Sequence, residues 1–132
     1  MSLRDLYQNY NGQVQFIVVY IREAHPLDGW NLGRGNGIYD PKTIEERRKV
    51  AGMCEVSMGY GIRTYVDEMD DAVMTAYAAW PERLYLIGED GRVVYAGGRG
   101  PWGFKPVGLK EAIEDLMRVD KEENYGSTAT TL

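Results

Sequence analysis

The chain has 132 residues, 15 basic and 20 acidic, a formal net charge of -5 and 44% hydrophobic residues. That suits one domain with one core. The acidic balance speaks against nucleic acid as the main partner, because phosphate binding needs a basic surface. No apolar run approaches the roughly 20 residues of a membrane span, and no signal-like hydrophobic region follows Met1, so no membrane contact and a cytoplasmic location are expected.

In chain order, Leu3, Leu6, Tyr7 and Tyr10 recur at the spacing of one helix face, and Asn11-Gly12 turns the chain. Gln13 to Ile21 reads as a strand whose apolar end suggests burial on both faces, as in a parallel sheet. Pro26 to Pro41 is a long Gly- and Asn-rich loop, a kind that is usually functional or mobile. Thr43 and Glu46 form a capping box, with Ile44, Ala51, Cys54 and Met58 on one face of the helix that follows. Gly59-Tyr60-Gly61 stops that helix, and Arg63 to Val66 is a short strand. Asp67 to Asp71 is an acidic turn capping a helix to about Tyr77. Arg83 to Ile87 and Arg92 to Ala96 form a hairpin through Asp90-Gly91. A second glycine-rich loop, Gly97 to Gly103, leads to an amphipathic helix marked by Leu109, Ala112, Ile113 and Leu116. The polar segment from Asp120 to Leu132 reads as a tail ordered by partners. Alternation, then a hairpin and a closing helix, is an α/β pattern with an antiparallel edge.

The strongest chemical candidate is His25, the only histidine. It follows the apolar strand, where ligands bind in open α/β sheets, and it titrates nearest neutral pH. Glu23 and Asp28 flank it, and a neighbouring carboxylate would fix its tautomer for acid–base work. The plainer reading is a histidine hydrogen-bonded at a strand end. Trp30 can stack on a substrate or cover the sheet edge. Arg99, among four glycines, can present its guanidinium to an anionic group or sit solvated on a tight turn. Whether Pro81 follows a cis bond is not legible.

The single cysteine, Cys54, rules out an internal disulfide and a Cys-x-x-Cys pair. Its place on an apolar helix face makes it a small hydrophobe rather than a nucleophile. One His and one Cys make a zinc site a poor fit, so no metal is assigned. The cluster Asp67, Glu68, Asp70 and Asp71 lacks calcium-loop spacing and reads as a solvated cap. Gly33, Gly35 and Gly37 do not complete a dinucleotide motif.

Three segments carry a resemblance: Tyr20-Ile21-Arg22-Glu23-Ala24-His25-Pro26-Leu27-Asp28-Gly29-Trp30, Pro81-Glu82-Arg83-Leu84-Tyr85, and Gly97-Gly98-Arg99-Gly100-Pro101-Trp102. Ordered and embedded in similarity from Val14 to Met117, they resemble the iodothyronine deiodinase family of selenoproteins and their relatives. The resemblance implies a thioredoxin-like α/β fold over residues 1–119, with 120–132 as tail. It implies active-site roles for Glu23 and His25, with His25 and Arg99 clasping an aromatic substrate. Tyr20, Trp30 and Pro81 join Arg99 as substrate-binding candidates, Pro81 at the position of a proline that is cis in many thioredoxin-like proteins. No resident cofactor is implied beyond an external thiol reductant.

The departures from the family pattern set further expectations. The family's selenocysteine or cysteine nucleophile precedes the helix represented by Leu3 to Tyr10, so no residue here is assigned that role. Pro41 aligns with a second family histidine, and Arg22 stands where many members have glutamate. The chain is expected to be a fragment, either because an in-frame UGA was read as a stop or because a partial domain was cloned behind Met1-Ser2-Leu3. An incomplete mixed sheet would then lack its first strand. Gln13–Ile21 and Arg83–Ile87 would pair directly, or a second copy of the chain would fill the gap. The chain itself is expected to have little redox activity. A non-catalytic ligand-binding or assembly module, and a general thioredoxin-like reductase or peroxidase, are the alternatives.

Overall fold

The structure is a computed structural model that describes residues 1–24, 26, 28 and 38–123. The expectations for His25, Trp30, the glycines at 33, 35 and 37, and the tail beyond residue 123 lie outside the described residues. The elements in order are α1 (Leu3–Tyr10), β1 (Ile17–Tyr20), α2 (Ile44–Met58), β2 (Arg63–Val66), α3 (Ala72–Ala76), β3 (Tyr85–Ile87), β4 (Val93–Ala96) and α4 (Pro106–Glu123). The mixed α/β class is the expected one. Among the described residues the strands form two two-stranded sheets, β1-β2 and β3-β4, where one incomplete mixed sheet was expected. The chain divides into two compact units, Ile17–Pro81 and the flanking segments Met1–Phe16 with Glu82–Leu132.

In the flanking unit, α1 begins with a reciprocal cap. The Asp5 amide donates to Ser2 Oγ (3.2 Å) and the Ser2 amide donates to Asp5 Oδ2 (2.9 Å), satisfying two of the amides that a helix start leaves unpaired. Leu6 is the only fully buried residue of α1. It joins Val14, Leu86, Leu109 and Ile113 in one apolar cluster. Burying each of these side chains contributes about 1.5–3 kcal/mol. The hairpin β3-β4 turns at Gly91, whose φ of +81° suits glycine. It is antiparallel, with an irregular register between Leu86 and Ile87. Gly108 admits Tyr95 against α4, since a Cβ there would lie 2.5 Å from the phenol oxygen. Tyr10 ties α1 to α4 by donating its hydroxyl to Glu114 Oε1 at 2.6 Å. The helix α4 runs to Glu123, four residues into the segment expected as tail.

In the central unit, β1 and β2 are parallel, with Ile17 opposite Arg63 and Tyr20 opposite Val66. The expectation of burial on both faces of β1 is corrected: Ile17 is exposed and Val18 to Tyr20 are only half-buried. A two-stranded sheet cannot cover both faces of a strand as the interior of a wide one does. The start of α2 corrects another detail. Thr43 Oγ1 accepts from the Glu46 amide (3.2 Å), but Glu46 turns back to the Lys42 amide (2.7 Å) rather than to that of Thr43. Gly59 ends the helix in the left-handed region, φ 61°.

The acidic turn after β2 is solvated at Glu68 and Asp70, as expected, but not at Asp67. Asp67 is 2% exposed. Its carboxylate accepts from the amides of Glu68, Val73 and Met74 at 2.9, 3.0 and 2.9 Å, which both closes the turn and caps α3. Asp71, at the cap position itself, makes no side-chain cap bond. Arg47 of α2, equally buried, donates to the carbonyls of Asp67 (3.4 Å) and Glu68 (2.8 Å) and to Asp71 Oδ1 (2.9 Å). The turn is thus fixed from within by one carboxylate and from α2 by one guanidinium. Where β1 was expected to pair directly with β3, the hydrogen-bonded neighbours among the described residues are β1 with β2 and β3 with β4.

Candidate functional site

In the central unit, the carboxyl end of β1 carries one group of candidate residues. The Asp67 amide donates to the Tyr20 carbonyl (2.9 Å), so pairing with the β2 side continues to the end of the strand. Just beyond, the Tyr20 hydroxyl donates to Glu23 Oε2 in a short hydrogen bond. The structure thereby brings together two of the expected site residues, spaced three apart. Burial pushes the Tyr20 phenol far above its usual range, reinforced by the bond to Glu23 and by the charges of Glu23 and Cys54, while Arg47 partly opposes the shift. The phenol therefore stays protonated near neutral pH and serves as a fixed donor to the carboxylate.

Cys54, on α2, is half-buried. Burial first, and the Glu23 charge second, push its thiol above the ordinary value. A thiol held protonated is a poor nucleophile.

The two described ends of the loop after β1 are joined. Asp28 Oδ1 accepts from the Asp40 amide at 2.7 Å. Lys42 Nζ lies 3.1 Å from Asp28 Oδ2 and 3.6 Å from Asp40 Oδ2, and Arg22 reaches Asp40 Oδ2 at 3.8 Å. The Asp40 amide and then Lys42 hold the Asp28 carboxyl below its usual value. Asp28 in turn raises the Lys42 ammonium. The unit ends at Pro81, half-buried after a cis Trp80–Pro81 bond.

The flanking unit carries a candidate group of its own. The loop from Gly97 to Phe104 is closed by backbone bonds. The Gly97 amide donates to the Leu84 carbonyl (2.9 Å), the Gly100 amide to that of Glu82 (2.9 Å) and the Gly103 amide to that of Arg99 (2.8 Å). Arg83 Nε donates to the Gly97 carbonyl at 2.5 Å. A Cβ at Gly103 would sit 2.4 Å from the Gly98 carbonyl carbon, so the two backbone segments touch only because both residues are glycine. The Gly100–Pro101 bond is cis. Arg99 is exposed on this turn. The glycines therefore serve a close backbone approach that holds the turn in one shape.

Sequence reasoning missed three features. Arg47 and Asp67 were legible only as charged residues on a helix and in an acidic turn. The Asp28–Asp40–Lys42 group had a weak signal: opposite charges at the two ends of one long loop.

A sequence model of the family described as Iodothyronine deiodinase matches residues 1–117. Among curated proteins, the chain is 40% identical over 106 residues to a thyroxine 5-deiodinase of Sparus aurata, covering 80% of this chain and 39% of that one. It is 43% identical over 103 residues to a thyroxine 5-deiodinase of Aquarana catesbeiana, covering 77% and 38%. It is 33% identical over 110 residues to a type I iodothyronine deiodinase of Xenopus laevis, covering 83% and 42%. The chain thus spans about two fifths of the length of these relatives.

Proposed function

Because the chain belongs to the iodothyronine deiodinase family, we propose that it forms the acid–base and anion-binding part of an enzyme that reductively removes iodine from an aromatic ring. The observation that carries this reading is the Tyr20–Glu23 hydrogen bond at the end of β1, two residues before His25. A carboxylate fixed there can orient the imidazole and support it as a proton donor. Arg99, on a turn that its glycines hold in place, takes the anionic group of the substrate.

In the reaction, a selenolate or thiolate takes the iodine, the ring carbon receives a proton in its place, and an external thiol reduces the resulting selenenyl or sulfenyl iodide to release iodide. The only sulfur nucleophile in the sequence is Cys54, held protonated by burial and by Glu23. This chain therefore supplies the binding and proton-handling groups and has little turnover of its own.

The test joins an upstream segment bearing a cysteine or selenocysteine to this chain and measures iodide release from an iodothyronine or a model iodophenol with dithiothreitol. Release that His25→Ala abolishes is expected. Retained substrate binding without release would instead favour a non-catalytic binding module. Turnover of peroxide or disulfide, but not of aryl iodide, would favour a general thioredoxin-like reductase.

A further inference from the structure

Trp102 is 89% exposed, the most exposed large apolar side chain among the described residues. Exposure alone means little, since single surface hydrophobics are ordinary. Its setting is what counts. The Gly103 amide bond to the Arg99 carbonyl, 2.8 Å long, closes one turn with Arg99 at its start and Trp102 at its last side-chain-bearing position. The Gly98–Gly103 contact, where an added Cβ at Gly98 would meet the Gly103 Cα at 3.0 Å, leaves that turn little freedom. Arg99 is exposed too, and no described residue makes a hydrogen bond or ion pair with its guanidinium. A cation and an indole thus stand three residues apart on one rigid turn, both available to a ligand. An indole offers a flat apolar face at little entropy cost, because its backbone is already fixed.

We infer that Trp102 is a specificity-determining contact that stacks on the aromatic ring of a ligand whose anionic group Arg99 holds, so that this turn selects aromatic carboxylates over aliphatic ones. The inference rests on the reading of Arg99 as the anion-binding group and adds to it the recognition of the ring.

The test uses the chain as it is. Binding of phenylacetate and of its saturated counterpart cyclohexylacetate is followed by the ¹⁵N-resolved indole signal of Trp102 and by calorimetry. The aromatic probe should bind about tenfold more tightly and move the Trp102 signal. Trp102→Ala should erase the difference and Trp102→Phe should keep most of it. Arg99→Gln should weaken both probes together. Equal binding of the aromatic probe by wild type and Trp102→Ala overturns the inference, and if Arg99→Gln still loses both probes, the anion-binding reading survives it. Loss of binding in Trp102→Ala but not in Arg99→Gln overturns the pairing and the anion-binding reading with it. No binding of either probe at millimolar concentration overturns both. A Trp102 signal that moves on dilution and not with probe assigns the indole to a contact between copies of the chain and also overturns the inference.

Discussion

At the residue scale, the informative pair is Tyr20 and Glu23. Both are legible in the sequence as members of one motif, but their bond is not, because a spacing of three does not say whether a chain leaving a strand folds back on itself. Tyr20→Phe removes a half-buried donor to a carboxylate and should destabilise the chain by about 1 kcal/mol in a urea titration. In an enzyme with its nucleophile restored, the same change should lower kcat more than it raises KM, since it loosens a positioning bond rather than a substrate contact. Cys54 offers a second readout, being the only cysteine. The Glu23 charge helps to raise its thiol, so Glu23→Gln should move the midpoint of iodoacetamide alkylation to lower pH. An unchanged midpoint would mean that the carboxylate is not felt at the sulfur.

At the scale of elements, the caps and turns follow from local chemistry that the sequence displays: Ser2 with Asp5, Thr43 with Glu46, Gly59 after α2, Asp90-Gly91 in the hairpin. The burial of Asp67 is not legible because acidic residues are almost always solvated unless paired, and Asp67 is satisfied by amides that only the folded turn gathers. Asp67→Ala leaves three amides without that acceptor and should cost on the order of 3 kcal/mol by denaturant unfolding. In the second glycine loop, Gly103→Ala should destabilise more than Gly100→Ala. The first would press a Cβ onto backbone, whereas the second meets the Glu82 side chain, which can rotate away. The Asp28–Lys42 pair gives a pH prediction. Asp28 titrates below its ordinary value of 3.8, so its stabilising contribution is fully present above pH 3.8 and is lost as pH falls through the folded value. Lys42 titrates above 10.5, so its share is present below pH 10.5 and is lost as pH rises through its own folded value. Lys42→Ala should raise the Asp28 midpoint toward 3.8 in a carboxyl carbon NMR titration.

At the scale of the whole molecule, each unit holds a sheet of two strands, one parallel and one antiparallel. Isolated two-strand pairs are marginal, and strands that pair on one side only invite another chain. Sedimentation velocity over a wide concentration range should therefore show reversible self-association. A monomer throughout would remove the reason to expect a second copy beside β1 or β3.

The sequence by itself determined the α/β class, the family, six of the eight elements to within about two residues at their ends, and the residues in which the chemistry was to be sought. These are local matters: helix and strand periods, caps, turn residues and motif wording all lie within a few neighbours along the chain. Only the tertiary structure decided that β1 pairs with β2, that Asp67 and Arg47 are buried rather than solvated, that Tyr20 is committed to Glu23, and that Trp102 stands exposed on the same turn as Arg99, a turn its glycines hold still. Each of these depends on groups brought together from distant positions, or on what fails to cover a side chain. Burial and partnership are properties of the folded surroundings, and no single stretch of sequence carries them.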